Sequence, residues 1–151
     1  MIFIEKAKRY CAYQERTHQQ LRDKLYSWGL HKTDVEKIIV QMIEEGYLNE
    51  ERFAMAFASG KFRINHWGKK KIEAALRQKK ISDYCIRKAL NSIDDNDVSQ
   101  SAFKLAEKYL SKLNEKDHRK RKYKTIAHLI SKGYDAETAK KALSKLMNDD
   151  E

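Results

Sequence analysis

Leu21-Arg22-Asp23-Lys24-Leu25-Tyr26-Ser27-Trp28-Gly29-Leu30, followed by Val35 and Ile39, sets an apolar pattern that the chain uses three times. Ile72, Leu76, Lys80, Ile81, Ile86 and Leu90 fill the same places 51 positions later. Thr125, Leu129, Gly133, Tyr134, Ala139 and Leu143 fill them again after a further 53. A period near 50 residues means tandem copies of one small unit rather than one globule around one core. Within each copy the apolar residues fall three or four apart, which is the spacing of one helix face. The expected fold is all-α: tandem three-helix repeats in an elongated, curved arrangement.

The boundaries follow from the same pattern. Residues 1–14 form a leader helix with Ile4, Ala7, Tyr10 and Cys11 on one side. Repeat 1 spans 15–62, repeat 2 spans 63–114, and an incomplete repeat 3 spans 115–151. Gly29 stops its helix as a left-handed cap, the next helix stops at Gly46, and Gly133 with Asp135 marks the break between the last two. Thr33 and Glu36 have the spacing of a capping box, and Asn49 and Ser82 or Asp83 stand where helices begin. Val35, Ile38, Ile39, Met42 and Ile43 are expected inward from the first copy, and Ile126, Leu129 and Ile130 from the last.

Composition narrows the function classes. The 151 residues contain no proline, and 36% of them are charged, with a formal net charge of +10. Such a balance suits nucleic acid, an acidic protein surface or an anionic membrane. No apolar run approaches a membrane span, and the first residues are too short an apolar stretch for a signal peptide. A cytosolic protein with two reduced, buried thiols, Cys11 and Cys85, is therefore expected.

The sequence offers little chemistry. None of the five histidines belongs to an HExxH or HxxxH pair, and no phosphate-binding glycine loop is present. Glu44-Glu45 and Asp94-Asp95 are consecutive, so their side chains diverge on a helix. We expect no catalytic residues, no cofactor and no metal site. A monomeric binding protein is the expectation, with a stand-alone helix-turn-helix-like DNA-binding protein as the alternative and an enzyme with a cryptic acid/base pair as a remoter one.

Two basic clusters are candidates for the working surface. Lys70, Lys71 and Arg77 lie around Ala74 on the helix that buries Ile72 and Leu76, and Glu73 can pair with Arg77 four residues on. Arg119, Lys120, Arg121 and Lys122 open the corresponding helix of the next copy, with Tyr123 expected to pack inward. Stacked repeats would align both clusters into one positive stripe.

The segment Glu45-Gly46-Tyr47-Leu48-Asn49-Glu50-Glu51-Arg52-Phe53-Ala54 continues to Phe57, Gly68, Ile72, Leu76 and Lys79-Lys80-Ile81-Ser82. With Tyr13-Gln14-Glu15-Arg16-Thr17 and Leu21-Arg22-Asp23-Lys24-Leu25 before it, it resembles the RecX regulatory proteins. The likeness is good over residues 7–93 and rests on pattern alone beyond. Asn49 stands where the family usually has an acid, Gln14 where it often has a base, and Lys80 where it has glycine. The resemblance implies an all-helical protein that lies along the filament of the recombinase RecA on single-stranded DNA. It further implies suppression of ATP hydrolysis, strand exchange and SOS co-protease activity, with single-stranded DNA phosphates as a further contact.

If the three copies are strung along one direction, small-angle scattering should give the profile of an elongated monomer. The profile of a single compact globule would refute that arrangement.

Overall fold

In the computed structural model, residues 2–147 are described. The described residues form helices and no strands: α1 (Ile2–Tyr13), α2 (His18–Ser27), α3 (Lys32–Glu44), α4 (Glu50–Asn65), α5 (Lys69–Gln78), α6 (Asp83–Asn91), α7 (Asp95–Lys112), α8 (His118–Ser131) and α9 (Ala136–Met147). Met1 of the leader span and residues 148–151 of the third span lie outside the described residues. Two compact units divide the chain, Met1–Ala56 and Phe57–Glu151, so the boundary falls within α4.

The sequence repeat proves to be a repeat of one turn. The N–H of Leu30 donates to the carbonyl of Leu25, that of Ile81 to Leu76 and that of Tyr134 to Leu129, at 3.4, 3.2 and 3.1 Å. Each bond spans five residues and closes a helix end over a residue with positive φ. That residue is Gly29 (φ 90) in the first copy, Lys80 (φ 61) in the second and Gly133 (φ 103) in the third. The three leucines whose carbonyls accept are each 0% exposed. The helix that ends at each leucine is thus turned back onto its own core.

In the first unit, α1, α2 and α3 pack on one another around Ala7, Cys11, Leu21, Leu25, Val35, Ile39 and Met42. The first helix is therefore a full member of this core, because Ala7 and Cys11 are buried between its neighbours. In the second unit, α5 packs on α6, and α7, α8 and α9 pack mutually around Ala106, Leu129, Tyr134, Ala139 and Ala142. The helices thus group from the one before each repeated leucine, a phase one helix earlier than the 15–62, 63–114 and 115–151 spans.

Several local expectations meet a better partner. The capping box forms at Thr17 and Gln20, not at Thr33 and Glu36. Helix α3 begins two residues earlier, at Lys32 after the N-cap His31, with no side-chain cap. Glu36 is instead drawn to the guanidinium of Arg22 (2.8 Å), which ties α2 to α3. Asn49 and Ser82 do cap, accepting the N–H groups of Arg52 and Cys85. Ile43 and Ile130 are exposed rather than inward, each one position off its helix's buried stripe.

The second and third helix triplets meet within the second unit at two glycines. The N–H of Gly68 donates to the carbonyl of Lys132 (2.7 Å), and the N–H of Lys70 to that of Gly133 (3.0 Å). A Cβ at Gly68 would stand 2.4 Å from the Gly133 carbonyl carbon, so no side chain fits there. Beside this contact, the buried Tyr134 hydroxyl donates to the carbonyl of His66 (2.9 Å) and accepts from Ser101 (2.6 Å).

Two substitutions one turn apart should move stability in opposite directions. Leu76→Ala removes a fully buried side chain and should cost about 2–5 kcal/mol. Lys80→Gly relieves a left-handed residue that carries a Cβ and should gain about 1 kcal/mol. Urea unfolding followed by circular dichroism checks both; a destabilised Lys80→Gly would contradict the strained-cap reading.

Candidate partner-binding surface

Helix α5 presents Lys70, Lys71 and Arg77, and the opening turns of α8 present Arg119, Lys120, Arg121 and Lys122. These seven cations have different surroundings. Arg77 is exposed but doubly paired, with Glu73 at 3.0 Å and with Asp83. The hydrogen bond to Asp83, then that to Glu73, raises its guanidinium pKa above the usual arginine value. Much of its field is therefore cancelled on the spot.

Arg121 points back rather than outward. Its guanidinium donates to the carbonyls of Glu115 (2.8 Å), Leu113 (3.4 Å) and Leu110 (3.5 Å). Those carbonyls belong to the last turn of α7 and the loop behind it, where a cation also meets the negative end of the helix dipole. Arg121 is thus a helix cap. Tyr123, expected inward, is 74% exposed, because Thr125 and Leu129 take the buried face of α8. Lys124 pairs with Glu115 at 3.0 Å.

Lys70, Arg119 and Lys120 are exposed, while Lys71 and Lys122 are half-buried. The two clusters stand at opposite ends of α8. The backbone of Lys70 is bonded to Gly133, just past the C-terminal end of α8, whereas Arg119 opens its N-terminal end. Fourteen positions of helix separate those ends by about 20 Å. They make two positive points on this unit rather than the continuous stripe expected.

A denser grouping lies at the corner between α4 and α5. Phe57 and Trp67 meet edge to face, with ring centroids 6.5 Å apart. The Lys61 ammonium lies 5.0 Å from the Trp67 ring and 5.6 Å from Phe57. The Lys71 ammonium sits 4.7 Å from Trp67, and that of Lys79 5.5 Å from Phe57. All four lysine–ring distances fall within cation–π range. Of the three lysines only Lys71 stands among the candidate cations of the sequence, and Phe57 enters there only within the family-like motif. The visible signal was the Phe57–Lys61 spacing of one helical turn, with Trp67 immediately before Gly68.

Two further polar features stand apart from these clusters. A cleft of about 420 Å³ between α4 and α7 is lined by Arg63, His66, Asp97 and Lys104 over Phe62 and Ile93. His128 stacks on Tyr109 at 4.2 Å, and burial, then Lys132, pushes its pKa down. No group of three histidines, cysteines or carboxylates is placed to hold a metal among the described residues. No helix among them is long and apolar enough to cross a membrane.

Tandem three-helix units with cationic surface clusters define a class of all-helical repeat proteins. Family models for the first, second and third three-helix domains of RecX match residues 4–42, 49–90 and 95–143. The chain belongs to the RecX family. It is 34% identical to "Regulatory protein RecX" of Clostridium perfringens (strain 13 / Type A), over 89% of this chain and 64% of that protein. It is 35% identical to the namesake from Clostridium tetani (strain Massachusetts / E88), over 98% of this chain and 65% of that protein. The chain thus spans just under two thirds of the length of these relatives. The crystal structure of RecX from Lactobacillus salivarius superposes with a TM-score of 0.86 at 25% identity, covering 96% of this chain and 94% of that one.

The split between structural and available cations is measurable. Arg121→Ala should cost about 1–2 kcal/mol, since it strips several carbonyls of a charged donor. Arg119→Ala should stay within about 0.5 kcal/mol of the parent. Thermal unfolding of both variants decides, and equal effects would overturn the assignment.

Proposed function

We propose that this chain is a non-catalytic, cytosolic, monomeric regulator of the recombinase RecA. It binds the RecA filament on single-stranded DNA and inhibits ATP hydrolysis, strand exchange and SOS co-protease activity. The observation that carries the reading is the succession of three RecX three-helix domains along one chain. Occupancy is the mechanism: a ladder of helices with unneutralised cations lies against an acidic protein surface and obstructs repacking of the filament. Charge complementarity of this kind sets orientation and speeds encounter. Lys70, Arg119 and Lys120 are the cations we place at the contact, with Lys71 and Lys122 at its margin. Arg77 and Arg121 support the surface through their pairing and capping.

The rival is a stand-alone DNA-binding protein built on the same three-helix units. The sequence matches no recognition helix with a defined set of base-reading residues, so that rival would bind phosphates alone.

RecA ATPase on single-stranded DNA is the test. Added protein should lower the rate in proportion to its occupancy. The Lys70→Glu/Arg119→Glu/Lys120→Glu variant should fold normally by circular dichroism and lose at least tenfold in inhibitory potency. Undiminished ATPase with the parent protein would sink the regulatory reading, and a fully potent triple variant would sink the contact residues.

A further inference from the structure

We propose that the corner between α4 and α5, formed by Phe57, Lys61, Trp67, Lys71 and Lys79, is a binding surface for the single-stranded nucleic acid backbone. The proposal deepens the regulatory reading and rests on it only for the place where such DNA would be met. Three ammonium groups converge on one aromatic pair, at 4.7–5.6 Å from the rings. None of the three pairs with a carboxylate among the described residues. Nearby carboxylates are engaged elsewhere: Glu73 and Asp83 with Arg77, and Asp95 with Lys69. The positive charge of this corner is therefore concentrated and uncancelled.

The chemistry favours phosphodiester over an acidic protein. Protein interface cores are depleted in lysine, whereas arginine and aromatics are enriched. Lysine acts on phosphate as a point charge and needs no fixed planar geometry. Grooves that bind single strands combine such cations with aromatic faces, because every base has a π-face to stack. The ammonium groups are already held over the rings, so the side chains lose little freedom on binding. Each ammonium retains N–H donors for a phosphate oxygen. As the ammonium groups turn from ring to phosphate, the half-buried faces of Phe57 and Trp67 open to bases. Lys71 and Lys79 stand eight positions apart, about 12 Å along the helix, which spans more than one nucleotide.

The test uses the full chain without RecA and a fluorescein-labelled 15-mer of thymidine, read by anisotropy. The parent should bind at 50 mM salt with a dissociation constant of about 1–100 µM. The Lys61→Gln/Lys71→Gln/Lys79→Gln variant keeps side-chain length and should bind at least tenfold more weakly. Its salt slope should fall by about 2, as expected for three lost phosphate contacts on a single strand. Trp67→Leu should weaken binding at least fivefold while leaving the salt slope nearly unchanged, because stacking carries no counterion release. If the glutamine variant does not fold, Lys79→Gln alone, at the half-buried C-cap of α5, should still lower the slope by about 0.7. Parent-like binding by the folded variants overturns the proposal. So does tighter, lysine-dependent binding of polyglutamate than of the oligonucleotide, which would assign the corner to an acidic protein. Loss of RecA inhibition with oligonucleotide binding intact would fail the regulatory reading and leave this surface standing.

Discussion

Each repeat turns on a hydrogen bond to the carbonyl of a buried leucine. Leu25, Leu76 and Leu129 each accept from the residue five positions on, and a left-handed residue between them makes the reversal possible. The bond ends one helix and aims the next across the same core, so an apolar residue follows the turn in all three copies. Leu30, Ile81 and Tyr134 fill that place, and the last two are buried. The third copy adds a demand. Gly133 must also admit the backbone of α5, since a Cβ there would lie 2.6 Å from the Lys71 Cβ and 2.8 Å from the Gly68 oxygen. Lysine can serve at the turn in the second copy because nothing comparable is packed against it, whereas in the third copy only glycine satisfies both the turn and the contact.

The same economy governs the charges. A chain with a net charge of +10 has cations to spare, yet many are committed to the fold. Arg22 joins α2 to α3 through Glu36, Arg52 reaches Glu15 at 2.7 Å, and Arg121 closes α7. Arginine takes these posts because its planar fork satisfies several oxygens at once. Lys61, Lys71 and Lys79 are left more open, with their ammonium groups over aromatic rings. Availability for a partner is therefore better judged from residue type and neighbours than from the density of a basic run.

Much of the fold was legible in the sequence because leucine spacing and helix-stop glycines are local signals. The interior places of Leu25, Leu76 and Leu129, the left-handed stop at Gly29 and the helix breaks at Gly46 and Gly133 needed no tertiary information. What the sequence hid was choice among partners. Glu36 has the spacing of a capping residue but finds Arg22 across the core. Arg121 reads as one member of a basic run until the carbonyls of α7 come within reach. The phase of the repeat was hidden too, because α1 looks like a leader until Ala7 and Cys11 are seen between α2 and α3. The corner at Trp67 escaped notice because its lysines, at positions 61, 71 and 79, come together only when α4 turns into α5.

The two cysteines lie one in each compact unit. Cys11 is 5% exposed within the α1–α3 core, and Cys85 is 9% exposed on α6. Burial pushes the Cys11 thiol up to about 11, so it is a poor nucleophile at neutral pH even when briefly reached. Reaction of either thiol with a bulky reagent thus depends on local opening of its own helices. The chain carries an internal clock for each half. The rate at which each sulfur becomes reactive reports how often that unit breathes, and whether the two do so together or apart.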